Sequence, residues 1–442
     1  MHSAVSTLQW LYRVGGRRWL DTEGIERWLL DALTQFAQCG PVAAIVPVAH
    51  GAAAALVRDG RLACLVSDYE DPIPGDLRVT YDAQRDSFAL TGSPALPDGL
   101  NLGAQLYRLE QERPELLSAH TCIIPWPQYW GWRLSGVAAS EVSSLGCHTD
   151  LWRPGEGGPS SLARTRGWAQ RLAPLRRAQE MLGQLREDWA ARTGLSNAVQ
   201  IYCGLHDSNA ALLAARAFPQ VAGRETTVVS TGTWFVAMRM SGMVAPCDLA
   251  ALPESRDCLV NVDVEGRPVP SARFMGGREL ELIGGLDVSA PAEVSKALSQ
   301  VIETRTMALP GWVPGVGPYP QAQARWSGEP RGAASRAAAG ALYAALMTDA
   351  SLDLIGGRER VIIEGRFASV EVFVRALAAL RPDTQVLINN DQEGGVPFGA
   401  LRLVDPTLAA HGSLQRVSPL GVDLSNYKLR WREAAEAQLC AA

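Results

Sequence analysis

Between Ala333 and Ile388 the chain writes out an order of elements that leaves few architectures open. An alanine-rich stretch, Ala333–Leu354, is a helix by residue propensity. A β-branched run, Arg360–Glu364, follows it, then helical periodicity over Ser369–Leu380 and a second β-prone run, Gln385–Ile388. Strand and helix alternating in this way predict an α/β protein. The first half is built from similar material. Ile25, Leu29, Leu30, Leu33 and Phe36 mark a helix capped by Asp21 or Thr22. A meander comes next: Ala43–Val48, a turn at His50–Gly51, Ala52–Val57, a tight turn at Arg58–Gly60, and Leu62–Val66. Leu102–Glu112, Trp126–Leu134, Ser161–Leu172 and Arg176–Arg192 read as helices, and residues 71–100, 152–162 and 308–331 as loops rich in glycine and proline.

With 442 residues, 47% of them hydrophobic, the chain can bury two cores, and two domains are expected, residues 1–198 and 199–442. A formal net charge of −5 argues against nucleic acid and anionic membranes as partners. The eight cysteines (39, 64, 122, 147, 203, 247, 258 and 440) form no C-x-x-C and no zinc-like spacing, as expected of reduced thiols in a cytoplasmic protein. The most apolar run, Val42–Val57, is broken by Pro47, His50 and Gly51 and is too short to span a bilayer.

Two segments carry the chemistry. Thr226–Val229 and Trp234–Met238 flank a turn of small hydroxylated residues, Ser230-Thr231-Gly232-Thr233, which predicts a hairpin. Gly232 allows a sharp turn whose N–H groups can converge on an anion, although most such tips are turns and nothing more. About twenty residues earlier stands Cys203-Gly-Leu-His-Asp-Ser-Asn209. There Asp207 precedes an apolar helix and can be its cap or an acid at a site.

The pairing of His206-Asp207 with that hydroxyl loop resembles the FGGY family of carbohydrate kinases, and within it the rhamnulokinase and fuculokinase branch. Further matches keep the family's order. Gln105–Gly136 is similar to its segment of helix, "P-E" and second helix, Glu141-Val-Ser-Ser144 to the E-x-S/T-x-S that follows, Val361–Arg366 to the adenosine motif, and Gly395–Leu403 to a late helix.

The resemblance implies a two-domain actin-like, ribonuclease-H-like duplicated ATPase fold of the α/β class. It also implies ATP-dependent phosphorylation of a ketose or deoxyketose such as rhamnulose, fuculose or xylulose, with the domains closing about the substrates. Asp207 would be the general base and a magnesium ligand. His50, Gly51, Asp68, Trp126 and His206 would meet the sugar, and Ser230, Thr231, Gly232, Thr233, Gly365 and Arg366 the nucleotide. Each has a bland alternative: a turn or cap for His50 and Asp68, a loop tie for His206, core packing for Trp126.

Two departures from the family stand out. Residues 1–20 show no D-x-G-T/S-x-x-K/R strand and no hairpin before the helix at Asp21, so a truncated N-terminal domain is expected. Glu364-Gly365-Arg366 also keeps one glycine where the family has two or three. A non-catalytic sugar-binding or regulatory protein is the competing reading, and a phosphatase or other ATPase of the same superfamily a third. A homodimer is the ordinary expectation for assembly.

Overall fold

Pro47 has no backbone N–H to give, and the strands that carry the first half of the chain are arranged around that gap. The computed structural model describes residues 4, 10–242, 248–284, 291–389 and 395–439. In it the run expected as one strand is two. Ala44–Ile45 pairs in parallel with Gln200–Ile201, and Val48–Ala49 in parallel with Leu205–His206. The register slips by one residue between the two pairs, which is a bulge. Its geometry is set by Pro47, whose carbonyl accepts the Leu205 N–H at 3.1 Å. Opposite it lies Gly204 at φ +76°, where any side chain would run into that same carbonyl.

Packing divides the chain into two units. Met1–Ala214, Val260–Pro268 and Gly395–Leu408 form one; Ala215–Leu259, Val269–Gly394 and Ala409–Ala442 form the other. This division falls at Ala214/Ala215 rather than 198/199, and two later segments return to the first unit. In that unit Ala54–Arg58 lies between Arg61–Leu62 and Cys122–Pro125, antiparallel to both. Asp59 (φ 49°) and Gly60 (φ 72°) make the tight turn that the Asp-Gly pair predicts. The third meander strand is only Arg61–Leu62. Tyr81, Leu102, Leu106, Leu116, Ile123 and Trp168 fill one core cluster.

Three further expectations are corrected. Leu11–Val14 and Arg17–Leu20 form an antiparallel hairpin across Gly15–Gly16, where none was read. Its turn carries no hydroxyl, and Arg17 and Arg18 tie it to Asp71 and Asp68. Residues 71–100 contain the short helices Gly75–Asp82 and Phe88–Thr91. In place of one helix over 176–192 stand the strand Met181–Gln184 and the helix Glu187–Thr193, because Gly183 sits in a strand that pairs with Gln200–Tyr202.

Most strands of a seven-stranded sheet belong to the second unit; the strand order is Cys258–Val262, Pro268–Phe274, Phe235–Met240, Thr226–Thr231, Arg360–Gly365, Gln385–Asn389, Leu414–Arg416. Thr226–Thr231 is antiparallel to Phe235–Met240 and parallel to Arg360–Gly365, which is parallel in turn to Gln385–Asn389. The helix Glu371–Leu380 makes that last crossover. Gly332–Leu354 is buried on nearly every side, which explains its alanine content: small side chains let neighbours approach from all directions. The helix Ser425–Leu439 docks by polar anchors. Tyr427 donates to the Thr306 carbonyl and Trp431 to that of Ala308, both at 2.8 Å, while Lys428 and Arg432 reach the buried Asp349. No helix among the described residues is long and apolar enough to cross a membrane. The described cysteines are free thiols, and Cys247 and Cys440 lie outside the described residues.

Candidate functional site

Because Val48–Ala49 and Leu205–His206 run in parallel register, the residues that follow them, His50 and Asp207, emerge side by side at the carboxyl ends of two strands. Open α/β sheets present their ligand sites at such ends. Asp207 is the first residue of the helix Asp207–Ala215, and its charge suits the helix N-terminus.

One carboxylate oxygen of Asp207 is engaged and the other is not. Asp207 Oδ1 accepts from Ser208 N–H (2.6 Å) and Ser208 Oγ–H (3.2 Å) and lies 3.2 Å from His206 Nε2. Oδ2 has no partner among the described residues, and the side chain remains 42% exposed. A carboxylate can only accept, so His206 Nε2 carries the proton and Nδ1 accepts from Asn209 Nδ2 at 3.4 Å.

Burial pulls the His206 imidazole below its ordinary range, against the pull of Asp207, so the ring is neutral at pH 7. His50 is lowered for the same first reason, with Asp207 opposing and His206 reinforcing. Desolvation pushes the Asp207 carboxyl up, but His206, His50 and the Ser208 hydrogen bonds more than offset it, and the net shift is downward. His50 Nδ1 accepts the Ala52 N–H at 3.3 Å, so its Nε2–H is the open donor, while the ring edge meets Tyr69. Gly51 makes this close grouping possible, because a Cβ there would overlap Cys147 Sγ and crowd His206.

Two expected sugar contacts have other company. Asp68 is buried; its Oδ2 holds Arg18 at 2.6 Å and its Oδ1 accepts the Glu70 N–H at 3.3 Å. Trp126 is buried against Tyr129, stacked at 5.2 Å, and Trp130.

On the second unit, Thr231↔Phe235 closes the predicted hairpin around Gly232, Thr233 and Trp234. Ser230 and Thr233 are exposed. Thr231 is turned inward, its Oγ1 donating to the Glu364 carbonyl (2.5 Å) and accepting the Phe367 N–H (3.1 Å). This ties the hairpin tip to the turn holding Gly365, whose φ of +84° and contact with the Thr231 carbonyl exclude a side chain. Arg366 is exposed and lies over the Phe367 ring. Glu364 stands in register with Ser230, and burial pushes its carboxyl up to about 7.

Sequence reasoning missed two participants. Ser143 Oγ accepts the His206 N–H at 3.2 Å. Gly399 brings its helix so near the Ala210 carbonyl that no side chain would fit, which packs Gly395–Val404 on the helix that Asp207 opens. The double glycine Gly276–Gly277, by contrast, marks the opening of a helix in the sequence itself, and it lets that helix start against the Phe235 ring and the Gly232 carbonyl.

Among the described residues no three His, Cys, Asp or Glu side chains gather as a metal site. A magnesium ion held mainly by nucleotide phosphates needs few protein ligands, so one arriving with a nucleotide would not require such a cluster.

Residues 223–412 match the model for "Carbohydrate kinase FGGY, C-terminal domain". A solved carbohydrate kinase from Novosphingobium aromaticivorans is 51% identical, covering 96% of this chain and 93% of that one with a TM-score of 0.90. A xylulose kinase from Rhodospirillum rubrum, 17% identical, shares the fold over 97% of this chain and 91% of its own at a TM-score of 0.77. A rhamnulokinase from Ligilactobacillus salivarius (strain UCC118) is 28% identical over 130 residues, 29% of this chain and 26% of the relative. The chain thus matches about a quarter of that relative's length.

Proposed function

The chain belongs to the FGGY carbohydrate kinase family, and we propose that it transfers the terminal phosphoryl group of ATP to a hydroxyl of a ketose or deoxyketose, with Asp207 as general base. One observation carries this reading. Asp207 is held by one oxygen and offers the other, beside the open Nε2–H of His50, where two parallel strands end.

A sugar hydroxyl is a weak nucleophile. As its oxygen bonds to the terminal phosphorus and the bond to the bridging oxygen of ADP breaks, its proton passes to Asp207 Oδ2. The Ser208 and His206 contacts fix the carboxylate so that Oδ2 faces its substrate. His50, neutral, orients a sugar oxygen through its Nε2–H without competing for the proton, while His206 has both ring nitrogens engaged and holds Asp207 in place. In the second unit the exposed hydroxyls of Ser230 and Thr233, on either side of the Gly232 turn whose own N–H closes onto the Trp234 carbonyl, receive phosphate oxygens, with Gly365 and Arg366 beside the nucleoside. Thr231 supports that tip from within. Magnesium, arriving with the nucleotide, would spread the charge of the phosphates.

The test is ADP release with ATP and magnesium across rhamnulose, fuculose, xylulose and related ketoses. Turnover with one of them supports the reading. Sugars that raise the melting temperature without releasing ADP would favour the non-catalytic sugar-binding alternative.

A further inference from the structure

We infer that Glu141 is a positioning residue for Asp207, acting through the hydroxyl of Ser143 on the backbone of His206; this rests on the kinase reading above. Glu141 is completely buried, and a carboxylate is costly to bury unless its oxygens are hydrogen-bonded. Its Oε2 accepts from Ser143 N–H at 3.0 Å, Ser143 Oγ–H at 2.5 Å and Ser144 N–H at 3.2 Å, with Ser144 Oγ at 3.5 Å. Its Oε1 has no partner among the described residues.

Capping of the short helix Val142–Leu145 accounts for the two N–H contacts but not for the choice of residue, since Ser, Thr, Asp and Asn cap better than the longer glutamate. The Ser143 hydroxyl accounts for it. A serine has one proton and a freely rotating O–H. With that proton committed to Glu141, the oxygen turns a lone pair to the His206 N–H, 3.2 Å away.

His206 is the last residue of the bulged strand and the neighbour whose imidazole holds Asp207 Oδ1. Farther along the same segment, Cys147 Sγ fills the space that the missing side chain of Gly51 leaves. Glu141–Cys147 thereby braces both strand ends, at His206 and at Gly51. Burial also pushes the Glu141 carboxyl up to about 7, against the pull of the Ser143 and Ser144 hydrogen bonds.

The experiment compares Glu141→Ala, Ser143→Ala, the double variant and Glu141→Gln in the full chain. Each alanine variant should lose at least about tenfold in kcat while KM for ATP stays put, because the nucleotide residues lie in the other unit. The double variant should be no worse than Ser143→Ala, as expected when one residue acts through the other. Glu141→Gln keeps a carbonyl acceptor for the Ser143 hydroxyl and should recover most of the loss. Independently of turnover, hydrogen exchange at the His206 amide should quicken by about tenfold or more in both alanine variants and little in Glu141→Gln. Additive losses in kcat, or a His206 amide as protected in Glu141→Ala as in the parent, would overturn the inference. If the parent has no kinase turnover, the proposed function fails, and the exchange data still decide whether Glu141 holds His206.

Discussion

Gly51 and Cys147 share one space: the thiol sulfur of Cys147 lies where a Gly51 side chain would have to go. Gly51→Ala should therefore destabilise the protein by about 1–3 kcal/mol, the usual cost of overpacking, and displace His50 from the sugar. Gly51→Ala with Cys147→Ala should regain much of both losses. Melting temperature and sugar KM are the measurements, and a pair no better than Gly51→Ala alone would show that the clash is not the cause.

Asp207→Asn removes the proton acceptor while keeping size and most hydrogen bonds. Turnover should fall about 10²–10⁴-fold with sugar affinity largely retained. Because the Asp207 carboxyl is held below its ordinary range, it is ionised throughout neutral pH, and the acid limb of kcat/KM assigned to it should lie below the range of a free aspartate. Near-parental turnover in the variant would remove Asp207 from the mechanism.

In His206 and His50 burial outweighs the pull of Asp207, and this sets the pH dependence they give to stability. Both are lowered first by burial, so the unfolded chain takes up protons before the folded one does. Stability should be fully present above about pH 6.5 and decline as pH falls from there toward the folded values. Denaturant melts at several pH values would show it, and His206→Gln should flatten the slope.

Thr231 and Thr233 are two residues apart in one motif and should behave differently. Thr231→Val leaves the buried Phe367 N–H and the Glu364 carbonyl without their partner, a loss of about 1–3 kcal/mol in stability. Thr233→Ala should leave the melting temperature unchanged and raise KM for ATP. Thermal melts and KM for the two variants, side by side, separate the roles.

Asp349 is fully buried and meets Arg381, Lys428 and Arg432. Asp349→Ala removes the partner these three cations share, although Asp353 still meets both arginines, and should cost at most about 3–5 kcal/mol, the range for breaking a buried ion pair, and loosen the helix Ser425–Leu439. The neighbouring Asp353 resists desolvation through Arg381 and Arg432, which hold its carboxyl low; its contribution is present above the ordinary aspartate range and is lost as pH falls through the folded value. Urea unfolding and proteolysis at the C-terminal helix would test both statements.

The sequence by itself determined what is local. Alternating periods gave the α/β class, the hydroxyl-rich turn gave the hairpin at Gly232, Asp59–Gly60 gave its tight turn, and His206-Asp207 marked the acid and its helix. Each of these depends on interactions within a few residues, which pattern and propensity can read. What only the tertiary structure decided is non-local. The one-residue bulge across Pro47 and Gly204 sets His50 beside Asp207, Ser143 reaches the His206 N–H, Arg18 engages Asp68, and Thr231 faces inward while Thr233 faces out. Register between distant strands, and the partner a buried polar atom finds, follow from how the whole unit packs, and no short stretch of the sequence encodes either.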